Sequence, residues 1–398
     1  MTQPPFPGPS QQPPSPGPAD PSTPGPAPAP AEREARRHTR QGWLSRPGTR
    51  LAVGAIASFG IGLLVSFVHL PYAILMPGPA TDVLGTFAAA DGSTTPRIQI
   101  KDAKTYPTSG SLDFTTVRVA GGPGYPVTVV DLVTAWIDPT RDVRPVDEIF
   151  PPNATKEQVA EENRIEMAGS QQEATAVALR ALGYSLSPVI TIASFSTDAP
   201  SKGELTVGDV VVSIQGRPAS DGAAVRAAVQ QATPGDTLEV IVKRDGATVT
   251  THPKTGKAPD GRTILGVVLQ GGYSLPFPVT IDAGNVGGPS AGLMFSLGVY
   301  DKLTEGSLTG GKSVAGTGTI DDSGAVGPIG GIRQKIVGAE RAGATFFLTP
   351  IDNCAEVSGF DHPGIQVVKV ATFQDAKTAL DTIAKGDTAA LPRCDTTP

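Results

Sequence analysis

The stretch Gly287-Gly288-Pro289-Ser290-Ala291-Gly292-Leu293-Met294-Phe295-Ser296-Leu297 follows the strand-like run Phe277-Pro278-Val279-Thr280-Ile281. A proline at a first helical position ahead of a long apolar run reads as a helix start. That start places Ser290 in the first turn, where backbone N–H groups lack intrahelical partners. A hydroxyl there sits beside ready-made oxyanion donors from Pro289, Ser290 and Ala291. On this stretch alone a nucleophile and a serine capping its own helix are equal readings.

A nucleophilic serine needs a base. The chain has four histidines, His38, His69, His252 and His362, and none lies in a catalytic motif. A triad through His252 or His362 has no support beyond their presence. Lysine offers more. In Gly330-Gly331-Ile332-Arg333-Gln334-Lys335-Ile336-Val337-Gly338-Ala339-Glu340-Arg341-Ala342-Gly343, a turn of about 100° per residue gathers Ile332, Lys335, Ile336, Ala339 and Ala342 in one arc, with Arg333, Gln334, Glu340 and Arg341 opposite. Burial disfavours the ammonium, so Lys335 on an apolar face could lose its proton near neutral pH and accept one from Ser290. The competing reading is a lysine whose stem covers the stripe while its head reaches water.

Gly288-Pro289-Ser290-Ala291-Gly292, with Lys335 placed 45 residues after the serine inside Pro-Ile-Gly-Gly-Ile-Arg-Gln-Lys, resembles the proteolytic domain of Lon proteases. The resemblance implies a Ser290/Lys335 dyad. Ala315-Gly316-Thr317-Gly318-Thr319-Ile320 is similar to that family's T-G-x-(I/V) strand, which implies that Thr317 assists the lysine. One departure stands out: where the ATP-dependent members read K-D-G-P-S-A-G, this chain has Val286-Gly287, so their acidic residue is missing.

Upstream, Gly203-Glu204-Leu205-Thr206-Val207-Gly208-Asp209-Val210-Val211-Val212-Ser213-Ile214-Gln215-Gly216 resembles bacterial PDZ domains. Strand-like Val189–Ile192 and Asp236–Arg244 and a helix from Ala223 to Gln231 accompany it. Such domains take a peptide as an added strand beside a helix. The family's carboxylate loop maps onto Gly183-Tyr184-Ser185-Leu186, with Ser185 departing from the Gly-apolar pattern. A spacer with no ligand is the alternative.

Further toward the N-terminus, Leu51 to Met76 holds no Asp, Glu, Lys or Arg in 26 residues, enough for a helix across a hydrocarbon layer of about 30 Å. Residues 1–50 carry six arginines and a net charge of +3, against −9 for the rest. The positive-inside tendency then places the N-terminus in the cytoplasm and the remainder outside. A cleaved signal peptide competes, although this apolar run is longer than its usual core. Arg36-Arg37 lacks the hydrophobic residues that follow a twin-arginine signal.

Thirteen of the 39 prolines fall in the first 30 residues, which reads as a disordered tail. The acidic main body excludes nucleic acid as a partner. Cys354 and Cys394 enclose a loop that an oxidising compartment would close, or they are two unrelated thiols. No Cys/His spacing suggests a metal, and no cofactor is expected. Gly306-Ser307-Leu308-Thr309-Gly310-Gly311-Lys312-Ser313 spells the P-loop expression, but a helix precedes it and a strand follows, the reverse of what a phosphate cradle needs, so no nucleotide is expected.

The expectation is an α+β chain. It comprises a Pro-rich tail with a basic juxtamembrane segment (1–50), a transmembrane helix (51–72), an extracytoplasmic α/β region (73–182), a PDZ-like domain (183–255) and a Lon-type proteolytic domain (260–390). Strand-like runs are expected at Arg97–Lys101, Ser111–Val119 and Val127–Trp136, and a helix from Thr155 to Leu182 stopped by Gly183. The strand through Phe114–Val117 and the helix through Ala174–Leu182 are expected to complete the short proteolytic domain, with the PDZ segment inserted between them and the serine. Anchor, PDZ and Lon regions together resemble the PDZ-Lon proteins of Gram-positive bacteria. The resemblance implies an ATP-independent, single-pass, membrane-anchored serine endopeptidase acting on proteins outside the cell, and it allows a homo-oligomer. A catalytically silent PDZ scaffold is the alternative.

Overall fold

The computed structural model describes Gly60 and residues 69–88 and 93–394. The chain divides into two units, Met1–Phe67 and Val68–Pro398, and all elements below belong to the second. The tail and most of the expected transmembrane segment lie outside the described residues. Among the described residues no helix is long and apolar enough to cross a membrane. The expected end of the span at residue 72 is corrected, because His69–Leu70 and Tyr72 already lie in strands.

In chain order, β1 (His69–Leu70) leads into β2 (Tyr72–Asp82), then β3 (Ser111–Ala120) and β4 (Val127–Thr128). The strand expected over Val127–Trp136 lasts only two residues before α1 (Val129–Ile137) begins. Thr128 and Asp131 form a reciprocal capping box there, which satisfies the first turn and overrides the β propensity of Val-Thr-Val-Val. After β5 (Asp142–Pro145), Thr155 and Gln158 build a second capping box that opens α2 (Lys156–Ala181), and Gly183 follows its end at φ +88°.

Next come β6 (Pro188–Phe195), β7 (Val210–Ile214), α3 (Gly222–Val229), β8 (Val240–Arg244), β9 (Ala247–Thr251) and β10 (Val267–Tyr273). They form an antiparallel sheet in the order β9-β8-β7-β6-β10 around its own core of Ile192, Ile214, Val240 and Val242. β10 belongs to this sheet, so the expected start of the proteolytic segment at residue 260 is corrected to the far side of Tyr273.

The remaining elements are α4 (Gly292–Leu303), β11 (Ser313–Gly316), α5 (Ile332–Arg341), β12 (Phe346–Pro350), β13 (Gln366–Val370) and α6 (Phe373–Lys385). The second sheet runs β13-β12-β11-β3-β2-β5. Its β13, β12, β11 and β3 are mutually parallel, while β2 runs antiparallel to both of its neighbours, β3 and β5. The pairing of Ser111 with Ser313 joins chain segments from either side of the β6–β10 sheet. One face packs Leu112 and Phe114 against Leu293, Phe295 and Leu297 of α4, Val177 and Ala178 of α2 and Leu380 of α6. The other packs Ala315 and Phe347 against Ile332, Ile336 and Ala339 of α5.

Cys354 and Cys394 are joined as a disulfide. Cys394 packs against the α5 cluster, and Arg333 Nε donates to the Glu356 carbonyl, so the bridge ties the C-terminal segment behind α5. A loop of 40 residues closed in the unfolded chain corresponds to about 4 kcal/mol in the chain-entropy model. Reduction is expected to lower the urea midpoint accordingly, and an unchanged midpoint after complete thiol labelling would reject that role.

Candidate active site

Three elements meet at the carboxyl end of β11, where Thr317 follows its last residue. Ser290 comes from the turn before α4 on one sheet face, and Lys335 from α5 on the other. Lys335 Nζ lies 2.8 Å from Ser290 Oγ and 2.9 Å from Thr317 Oγ1. Thr317 Oγ1 in turn donates to the Ser290 carbonyl at 2.9 Å, and Gly318 N donates to the same oxygen at 2.9 Å. The serine backbone is therefore clamped by the two residues that follow β11.

The expectation that Ser290 lies inside the first turn is corrected. α4 starts at Gly292, with Ala291 as its N-cap, so Ser290 lies in the turn just before it. Pro289 was expected among the oxyanion donors, but proline has no N–H and cannot be one. The expected donors are thereby narrowed to the N–H groups of Ser290 and Ala291. Ser170 Oγ of α2 donates to the Pro289 carbonyl at 2.9 Å, and Gly288 N donates to the Asn163 carbonyl at 3.0 Å. These two α2 residues position the serine turn. No pattern in the sequence flagged them, since they act from more than 100 residues away.

Gly292 allows this packing, because a Cβ there would meet Ser170 Oγ at 2.8 Å and Ile320 Cγ2 at 2.9 Å.

Lys335 is 3% exposed and Thr317 is fully buried, whereas Ser290 is half-buried and reachable. Burial pushes the Lys335 ammonium down to about 7. Ile332, Ile336 and Ala339 are buried beside it, as the apolar arc of α5 predicts. Gln334, expected on the outer side, is buried too, and its amide donates to the Thr140 carbonyl at 3.3 Å. A neutral amine has one lone pair and two N–H groups. It can accept the Ser290 proton with the first while donating to Thr317 with the second, which is the geometry of a general base.

Among the described residues, neither His252 nor His362 reaches the site. His362 Nδ1 bonds the Ile365 carbonyl, and His252 N donates to Glu204. The glycine-rich stretch 306–313 runs from α4 to β11, with Gly310 against Ala384 and Thr309 Oγ1 donating to the Ser109 carbonyl. Among the described residues, no group of His, Cys, Asp and Glu could hold a metal ion.

The expected peptide loop Gly183-Tyr184-Ser185-Leu186 is also corrected. It leads into β6, which is flanked on both edges, by β7 and by β10, leaving no place for an added strand. Tyr184 instead packs edge-on against Phe277 at 5.6 Å. Among the described residues β10 is paired on one edge alone, and α3 lies beside it. The run Leu265-Gly266-Val267 before it has the apolar-Gly-apolar signature that could have pointed there.

Residues 279–383 match the Lon protease (S16) C-terminal proteolytic domain, and residues 165–255 match the PDZ domain. The chain carries a Lon-type proteolytic domain. It is 46% identical over 70 residues to Lon protease 2 of Herpetosiphon aurantiacus, covering 18% of this chain and 8% of that protein. It is 35% identical over 91 residues to Lon protease 2 of Bacillus subtilis, covering 23% and 16%. The chain thus spans well under a fifth of the length of these relatives. Among solved structures, the PDZ domain of the SdrC-like protein from Listeria monocytogenes is 20% identical, with a TM-score of 0.19, over 20% of this chain and 85% of that one. A Lon-type proteolytic domain joined to a PDZ domain supports a serine peptidase.

Thr317→Val keeps the shape of the side chain and removes its hydroxyl, which holds both Lys335 and the Ser290 carbonyl. The expected result is a fall in kcat of about 10- to 100-fold, corresponding to about 1.4–2.8 kcal/mol, with KM little changed. A rise in KM at constant kcat would place Thr317 in substrate binding instead.

Proposed function

We propose that the chain is an ATP-independent serine endopeptidase, anchored in a membrane by residues 51–68 and acting on extracytoplasmic proteins. Ser290 attacks the scissile carbonyl. Neutral Lys335 takes the hydroxyl proton and returns it to the leaving amine, and Thr317 orients Lys335. The N–H groups of Ser290 and Ala291 hold the oxyanion. The observation that carries this reading is the Nζ of buried Lys335 at 2.8 Å from the Oγ of half-buried Ser290.

Substrate engagement is assigned to the open edge of β10 beside α3, where an extended segment can add as a strand. ATP independence rests on the sequence, whose one P-loop-like stretch has the wrong order of elements. The membrane location rests on the uncharged run and the arginines before it.

The test is incubation of the full chain, purified in detergent, with an unfolded protein in the absence of nucleotide, with fragments read by mass spectrometry. Cleavage that disappears in Ser290→Ala is expected. Cleavage that persists in Ser290→Ala, or that appears with ATP alone, rejects the proposal.

A further inference from the structure

One helix presents its apolar side outward. α1 packs Leu132 and Ala135 onto Ile74 and Val127. At 100° per residue, Val130, Val133 and Ile137 fall on the opposite arc, and Trp136 lies at its edge, between Leu132 and Val133. All four are exposed, Trp136 by 74% and Ile137 by 78%. The capping box of Thr128 and Asp131 fixes where the helix starts and hence which way this stripe faces. A contiguous apolar stripe on the surface marks an interaction site.

The chain's own path indicates what covers it. β4 runs directly into α1 and pairs with β1, Leu70 opposite Val127. The residue before β1, Val68, lies within the uncharged run Leu51 to Met76, which continues through β1 into β2. The apolar helix therefore begins one strand pair from where that run enters the fold. Beside β1 lies a hollow of about 320 Å³ lined by Leu70, Pro71, Pro126, Val146 and Phe150. Tyr125, 56% exposed, carries the Lys156 ammonium 4.8 Å over its ring. An exposed Tyr beside a lysine and an exposed Trp on the helix that follows suit the boundary between lipid tails and headgroups.

We propose that the outer face of α1 seats in the headgroup layer of the bilayer. This rests on the anchor reading and goes beyond it: a tether alone leaves the catalytic unit free to tumble, whereas a docked α1 fixes which side faces the lipid. The chain has two tryptophans, Trp43 and Trp136, so Trp43→Phe leaves Trp136 as the sole reporter. The full chain is reconstituted in phosphatidylcholine and phosphatidylglycerol vesicles containing lipid brominated near the headgroup. A helix lying in this plane sits about 5–10 Å deep.

Loss of most Trp136 emission to the bromolipid, with little loss to aqueous acrylamide, is the expected result. Val133→Glu in the same background should reverse both without changing cleavage of a soluble unfolded protein. Quenching by acrylamide and not by bromolipid overturns the proposal. Shielding from both quenchers together with crosslinks between chains overturns it in favour of a second copy as the occupant. Alkaline extraction run in parallel separates the two readings. A retained chain with unquenched Trp136 keeps the anchor and rejects the docking. An extracted chain with bromolipid-quenched Trp136 does the reverse, and an extracted, unquenched chain rejects both.

Discussion

Replacing Lys335 with methionine is expected to abolish peptide-bond cleavage and to make the fold more stable at pH 7. Methionine has a similar length, suits a buried apolar site and carries no charge. Burial holds the folded-state lysine at about 7, whereas in the unfolded chain it titrates near 10.4. Between these values the unfolded chain binds a proton that the folded chain does not. The contribution of this group to stability therefore rises with pH across that window, by up to about 4–5 kcal/mol in total. Below about pH 7 both states are protonated and the folded state carries the full penalty of a buried charge.

Urea unfolding at several pH values should show the parent gaining stability from pH 7 to pH 10 relative to Lys335→Met. Removing a general base together with the nucleophile's activation lowers the rate by roughly 10³-fold or more. For the parent, cleavage should fall as pH drops through about 7, because the neutral amine is the reactive form. A variant that still cleaves, or whose stability tracks the parent at every pH, contradicts both the role and the burial argument.

The second large effect concerns a position without side-chain chemistry. A Cβ on Gly338 would lie 2.4 Å from the Gly78 carbonyl oxygen, where α5 crosses β2. The neighbour is backbone and cannot rotate aside, so Gly338→Ala must lift the helix. Lys335 sits one turn earlier on that helix and moves with it. Overpacking of this kind is expected to destabilise by about 1–3 kcal/mol. A displacement of about 1 Å at the base is expected to reduce cleavage about 100-fold.

Gly169→Ala is the control. Nothing lies within 4 Å of its would-be Cβ on α2, so it should stabilise by roughly 0.5–1 kcal/mol through helix propensity alone. Thermal unfolding and turnover measured on both variants decide the matter: a Gly338→Ala chain as stable and active as the parent would show that α5 does not rest on β2.

Parts of this site could be read from the sequence because their signals are local. Ser290 and Lys335 announce themselves by motif and by one helix's periodicity, and the start of α2 by Thr155 and its partner Gln158. The rest depends on contacts between distant segments. Ser170 and Asn163 look like ordinary polar residues of a helix until the serine turn is laid against them. Val127–Trp136 looks like a strand because its residues are β-branched, and the competing cap at Thr128 decides otherwise. The peptide edge expected after Gly183-Tyr184-Ser185-Leu186 rests on a run that departs from the pattern at Ser185, and only the strand order shows that β6 is enclosed while β10 is open. The outward stripe of α1 has the same periodicity as an inward one; which face is buried is set by the sheet it lies on.

The pairing of β3 with β11 joins residues 202 positions apart, Ser111 with Ser313. Contacts of such long sequence separation require closure of a large loop of chain, while β8 and β9 close as a hairpin and β7 pairs with β8 over a far shorter separation. A chain that emerges N-terminus first has made Ser290 before it has made Thr317 or Lys335. During synthesis the serine is thus an inert hydroxyl, with neither its base nor the clamp on its carbonyl. On the proposed mechanism, the order of residues along the chain withholds the base from the nucleophile until the last third of the sequence has been made.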